Sequence, residues 1–321
     1  MKDLRVHYLF LIVWIAAAAF GFFNVSTGRG QSRSAEKPQP ATTLKPTLKA
    51  ITSTRSDSPE ATAPASTSIF ESAALQNATL RNDLDWIFGG KSQKGWYLYT
   101  YLIDQLLKTD QDSISAGFAA SLSKWQKDTG LTPSGVLDDQ SLYSMISKWQ
   151  SERLQDRTVA SPDRLLTAPP SEFYDESRPD ELRQVDKATY AAYHRMLTAA
   201  IADKSLALSA APDGTLAESE KFLKIISAFR SKEYQEQLRK KSPNVGRAGL
   251  AINSPHFTGR ALDLYVGGDP VDTNDANRAL QVQTPVYKWL VKNAATFGFK
   301  PYYYEPWHWE YVGEASMVNS K

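Results

Sequence analysis

Apolar residues recur along this chain at helical spacing in its first half and at strand spacing in its last third. The run Trp96-Tyr-Leu-Tyr-Thr-Tyr-Leu-Ile-Asp-Gln-Leu-Leu107 carries helical periodicity. Phe118, Leu122 and Trp125 share one helical face, and Gly130 is placed to end that helix. Leu142, Met145 and Ile146 repeat the pattern on a second helix, with Asp138 as its N-cap. Tyr190, Tyr193, Met196, Leu197 and Ile201 predict a further helix over 185–202. The period then drops to two. Residues 224–229 form a short β-rich run. In 261–266, Leu262, Leu264 and Val266 point one way while Ala261, Asp263 and Tyr265 point the other. Residues 302–312 read as an aromatic-rich strand that tolerates Pro306 near its start. From Trp307 on, Trp307, Trp309 and Tyr311 share one face, and His308, Glu310 and Val312 the other.

The stretches between these blocks divide the 321 residues. Lys2 and Arg5 precede an apolar run from Tyr8 to Phe23, the pattern of an export signal. The run is slightly long for a signal core and slightly short for a membrane span. Residues 1–25 therefore predict a cleaved signal or a retained anchor with its N-terminus inside. Residues 26–68, rich in Ser, Thr, Ala, Pro and Lys, predict a disordered linker reaching about 35 Å. Residues 69–155 predict a helical domain. Residues 156–182, with Pro162, Pro169, Pro170 and Pro179, predict a second linker, and 183–321 a second domain. A net charge of +2 without a basic stripe excludes a nucleic-acid binder. The absence of cysteine excludes disulfides, thiolate metal sites and a cysteine nucleophile.

Chemistry concentrates in three segments. Of four histidines, His194 sits in a helical pattern and is assigned no role. His256 lies in Ser254-Pro-His256-Phe-Thr-Gly259-Arg-Ala-Leu-Asp263, and His308 in Glu305-Pro-Trp307-His308-Trp-Glu310. Asp263, mid-strand among core leucines, is costly to bury without a partner, and a metal is one such partner. The turn at Gly259 has to bring His256 round to Asp263. Strict alternation puts Glu305 opposite His308, so a pairing of the two requires a bend at Pro306. Two histidines and one carboxylate leave a fourth zinc position open, as catalytic zinc requires. The helical His-Glu-x-x-His motif is absent. Arg230 closes the 224–229 run, Ser231 suits an N-cap and Glu233 the first turn of a helix. An arginine at such a junction can fork onto a carboxylate.

At these residues the chain resembles the VanY-like D-alanyl-D-alanine carboxypeptidases. They are zinc peptidases related to the vancomycin-resistance dipeptidases and the hedgehog domain. The resemblance covers about residues 185–315. It rests on Ser-x-His-x-x-Gly-x-Ala-x-Asp, on Glu-x-Trp-His and on the Arg-Ser-x-Glu-x-Gln segment from Arg230 to Gln235. Separately, the helix, Gly-Leu, Gly-Val-Leu-Asp, helix arrangement around 118–146 resembles the small three-helix peptidoglycan-binding domain. The resemblances imply an α+β fold, a small antiparallel sheet with packed helices, preceded by a small all-α domain. They imply that His256, Asp263 and His308 bind Zn2+ and that Glu305 is the general base. They imply that Arg230 holds a terminal carboxylate or the carbonyl oxygen that becomes charged, that Ser254 and Gln235 meet substrate, and that Trp307 and Glu310 support the site. The implied protein is an exported D-alanyl-D-alanine carboxypeptidase of the periplasm or cell envelope, with or without an inner-membrane anchor. Its substrates are peptidoglycan stem peptides, and 69–155 binds wall glycan. The same zinc site also suits an L,D-carboxypeptidase or a peptidoglycan endopeptidase. A non-catalytic zinc-containing wall-binding protein is the alternative of another class, and Glu305 argues against it.

Overall fold

Capping side chains start the helices where the apolar pattern begins. The computed structural model describes residues 65–241 and 251–313. The expected signal or anchor, and most of the expected linker at 26–68, lie outside the described residues. No helix among the described residues is long and apolar enough to cross a membrane. Helix α1 spans Ala65–Asp83, α2 Thr100–Leu107, α3 Ala116–Asp128 and α4 Asp139–Ser151. The Ser115 hydroxyl accepts from the Phe118 N–H at the start of α3, and the Asp138 carboxylate from the Ser141 N–H at the start of α4. Gly130 follows α3 with φ of +77°, the left-handed residue that ends a helix.

A buried polar cluster fixes the turn between α3 and α4. Asn77 of α1 donates to Gly135 O at 2.9 Å and accepts from Leu137 N at 2.7 Å. Gln126 of α3 accepts from Gly135 N and donates to Val136 O and Ser141 Oγ. Every polar end is matched, so the cluster specifies one arrangement of the three helices. The segment is not all helical. Strands β1 (Asp85–Phe88) and β2 (Lys91–Lys94) form an antiparallel hairpin. Its turn is Gly89-Gly90, both with positive φ.

The second half builds the expected α+β arrangement. Strands β3 (Leu165–Thr167) and β4 (Gln184–Asp186) pair antiparallel, and Asp186 caps α5 (Lys187–Ala202). There follow β5 (Ile225–Ser227), α6 (Lys232–Lys241), β6 (Ala261–Leu264), α7 (Asp275–Gln283), α8 (Pro285–Asn293), β7 (Phe299–Pro301) and β8 (His308–Tyr311). The main sheet is four-stranded and antiparallel, in the order β5-β6-β8-β7. The single strand expected over 302–312 is therefore a correction. Residues 302–307 form the turn of a hairpin, closed by Tyr302 N to His308 O and by Glu305 N to Tyr302 O, each 3.0 Å.

The expected linker at 156–182 is a second correction. It carries β3, and its Ala168 and Phe173 are fully buried. Phe173 bridges in parallel to Ile225, and the Ala160 N–H donates to Phe257 O at 2.8 Å. Prolines stop this segment from forming long regular elements, but they do not stop single apolar anchors from packing. The helical and sheet regions also share one core. Phe88 lies 5.2 Å from Tyr303 and 4.9 Å from Tyr304 between ring centroids, and Trp149 stacks on Tyr303 at 6.0 Å. The Arg278 guanidinium lies over the Tyr304 ring at 4.3 Å and donates to Tyr99 Oη at 3.4 Å.

Asp104 on α2 is a measurable flaw in this packing. Burial, then the charge of Asp112, raises its pKa to about 7 against the pull of Arg81. Its buried Oδ1 has no hydrogen-bond partner. The fold prefers the neutral acid, so the stability Asp104 contributes is held below about pH 4 and lost as pH rises through about 7. The thermal midpoint of Asp104→Asn should therefore rise relative to the parent as pH increases across that window. A difference independent of pH would show that burial does not act on this carboxyl.

Candidate metal and catalytic site

The sheet register puts the chemistry in one row. Ser227 of β5 pairs with Asp263 of β6, and Asp263 pairs with His308 of β8. Directly paired residues project to the same face of a sheet. Glu310, two residues beyond His308, shares that face. His256 sits within a 3-10 turn over Pro255–Thr258 that precedes β6. The Ser254 hydroxyl caps this turn by accepting from the His256 N–H. Gly259 ends it with φ of +67°, where a Cβ would lie 2.9 Å from Asp186 N. The expected reversal at Gly259 is thus what brings His256 to Asp263.

The donor atoms of His256, Asp263 and His308 all lie within 4.8 Å of one another, and all three residues are buried. Asp263 Oδ1 is 3.3 Å from His256 Nε2 and 2.8 Å from His308 Nδ1. Ligands at zinc bond lengths in a tetrahedral site stand roughly 3.3 Å apart. The far nitrogen of each ring is already held. His256 Nδ1 faces Ala228 O at 2.6 Å, and His308 Nε2 faces Glu310 Oε1 at 3.1 Å. Such outer partners fix which ring nitrogen is left for a metal. The donor chemistry, the spacing and the fixed rings all fit a catalytic zinc.

Arg230 reaches the same carboxylate from the β5–α6 junction. Its Nη2 donates to Asp263 Oδ2 at 2.5 Å, its Nε to Ser227 Oγ at 2.8 Å, and its Nη1 to Gln235 Oε1 at 3.4 Å. The Ser231 hydroxyl caps α6, as expected, by accepting from the Tyr234 N–H. Gln235 also donates to Ala251 O, so both ends of its amide are used to hold other groups. Gln235 and Ser254 are buried, Gln235 bonded to the Arg230 guanidinium and Ser254 to the His256 backbone N–H.

Glu305 lies in the β7–β8 turn, where the bend before Pro306 brings its Oε2 to 4.0 Å from His308 Nδ1. That bend removes the parity conflict of a straight strand. Burial, aided by the charge of Asp263 and opposed by His308 and Arg230, raises its pKa to about 8. Burial would also raise Asp263, but the charges of His256 and Arg230 outweigh it and hold that carboxyl well below the usual range. Burial lowers His256 to about 4, with Arg230 adding to the effect. For His308 burial is overcome by the hydrogen bonds to Asp263 and Glu310, which raise it to about 9. A cation arriving at this site would displace a proton from His308. Trp307 is buried at the edge of the row, and its carbonyl accepts from the Leu264 N–H at 2.8 Å.

Two arginines near this site carried no signal in the sequence. Arg178, on the segment expected to be a linker, lies close enough to feel the charges of Arg230 and Asp263, and its Nε is buried without a hydrogen-bond partner. Arg153, just after α4, pairs with Glu310 at 2.5 Å. His194 stays outside the site, 3.2 Å from Glu172.

Residues 183–314 match the family model described as D-alanyl-D-alanine carboxypeptidase, VanY. No curated protein matches the chain. Among solved structures it is similar to the LdcB LD-carboxypeptidase, whose structure is described as revealing the molecular basis of peptidoglycan recognition. The two are 25% identical, over 50% of this chain and 72% of that one, with a TM-score of 0.35.

Proposed function

We propose, because this chain belongs through residues 183–314 to the VanY-like D-alanyl-D-alanine carboxypeptidase family, that it is an exported zinc carboxypeptidase that trims peptidoglycan stem peptides. The observation that carries the reading is the Asp263 carboxylate set between His256 Nε2 and His308 Nδ1, with the buried Glu305 beside them. His256, Asp263 and His308 would hold the zinc. A zinc ion there supplies Lewis acidity, polarising a scissile carbonyl and making water nucleophilic near neutral pH.

The remaining work falls to side chains of the chain. Glu305 takes the proton of the attacking water and returns it to the leaving amine. A base whose pKa lies near the working pH is suited to both transfers. Arg230 has N–H groups on Nη1 and Nη2 beyond those given to Gln235 and Asp263, and these bind the terminal carboxylate or the oxygen that becomes charged. Gln235 and Ser227 keep that guanidinium from swinging away. Helices α1–α4 would rest on wall glycan and raise the local substrate concentration.

Mass spectrometry of muropeptides incubated with the full chain, with and without a chelator, tests this reading. Chelator-sensitive loss of one terminal alanine from pentapeptides is expected. Loss from tetrapeptides, or cleavage of cross-linked dimers, would keep the metal chemistry and change the bond. Metal-loaded protein that cleaves none of these would reduce the chain to a wall-binding protein.

A further inference from the structure

The carboxylate behind His308 is held from outside the family-matched segment. Glu310 is 0% exposed. Its Oε1 faces His308 Nε2 at 3.1 Å and accepts from Arg153 Nη2 at 2.5 Å, and its Oε2 accepts from the Leu154 N–H at 2.9 Å. Both donors lie just beyond the end of α4, more than 150 positions away in sequence. Arg153 is itself fixed. Its guanidinium carbon lies 3.9 Å above the Tyr302 ring, and its Nη1 donates to Gln150 Oε1 at 2.7 Å. The Tyr302 ring in turn meets the His308 ring edge-on at 5.9 Å. Arg153 therefore touches both surfaces that orient His308, the carboxylate behind it and the aromatic ring beside it.

We propose that Arg153 is a positioning residue of the metal site, aiming His308 Nδ1 by holding Glu310 and Tyr302 in place. The helical segment then completes the site instead of merely carrying it to a surface. The inference rests on the reading of His308 as a metal ligand. Its physical basis is that a buried carboxylate stripped of its charged partner re-pairs or turns, and the imidazole bonded to it turns with it. Groups behind a metal ligand commonly contribute 10- to 100-fold in metal affinity, and a loss of about 10-fold is expected on replacing Arg153. The sign is diagnostic. Simple Coulomb attraction predicts that removing a positive charge near the site tightens cation binding, whereas loss of positioning loosens it.

The experiment is a Co2+ titration of the metal-stripped full chain, read by the visible absorption of the bound ion. Arg153→Met keeps the hydrocarbon over Tyr302 and removes the charge. It should bind Co2+ about 10-fold more weakly than the parent and shift the ligand-field bands. Arg153→Lys keeps a charge without the fork and should recover part of the affinity. In a Glu310→Gln background, either Arg153 change should cost little more, because the two act as one unit. Unchanged or tighter Co2+ binding by Arg153→Met, or losses that simply add to that of Glu310→Gln, would overturn the proposal. The Arg153→Lys arm gives the same decision if the Met variant does not fold. A parent protein that holds no Co2+ would sink the metal reading and this inference with it, while tight binding indifferent to Arg153 would sink only the inference.

Discussion

Glu305→Gln should lower kcat by about two to four orders of magnitude and leave metal content unchanged. The residue is 7% exposed and its carboxylate sits 4.0 Å from the ligand nitrogen of His308, so it is a neighbour of the metal position without being one of the three ligands. Its backbone is fixed by Glu305 N to Tyr302 O and His308 N to Glu305 O, at 3.0 and 2.9 Å. Glutamine can follow the same path and fill the same space. What it cannot do is accept and release a proton, which is the function assigned to a carboxyl whose pKa burial has moved to about 8. Product release from muropeptides and metal content by atomic absorption, measured on the same preparation, decide the matter. An undiminished kcat would remove Glu305 from the proton path. Loss of the metal together with activity would make it a structural support of the ligands.

Local rules explain what was legible in the sequence. Asp138, Ser231 and Gly130 act within a turn of their own position, and each does what its residue type predicts. His256, Asp263 and His308 stood out because histidine is scarce and because an aspartate inside a run of core leucines needs a reason to be there. The alternation that placed Asp263 on the face opposite Leu262 and Leu264 also set its register with His308. The Glu305 problem shows where periodicity ends. A period of two continues only while the backbone stays extended, and the turn at 302–307 breaks it, so the side of the strand could not be counted through Pro306. Arg153, Arg178 and the packing of 156–182 were illegible for a different reason. Phe173 meets Ile225, and Arg153 meets Glu310, across separations that leave no pattern in a single chain. A proline-rich stretch with few apolar residues reads as solvent-exposed because its anchors are single residues without a period.

A chain starting at residue 156 should fail to give a cooperative unfolding transition, against the expectation that the family-matched region folds alone. Removing 1–155 strips Phe88, Tyr99 and Trp149 from the Tyr303 and Tyr304 rings. Each large apolar side chain left uncovered costs about 1.5–3 kcal/mol. The same cut removes Arg153 and the Leu154 N–H from Glu310, leaving the carboxylate with His308 as its remaining hydrogen-bond partner. Breaking one side of a buried ion pair costs about 3–5 kcal/mol. Arg278 loses Tyr99 as well. Two uncovered tyrosines and one stripped carboxylate together approach the whole stability of an ordinary domain, about 5–15 kcal/mol. Circular dichroism on heating, with Co2+ binding alongside, is the measurement. The expected result is a broad or absent transition and no metal uptake by the shortened chain. A sharp transition with full metal affinity would show that the aromatic contacts and the Arg153–Glu310 pair are dispensable, and that α1–α4 dock on a fold complete without them.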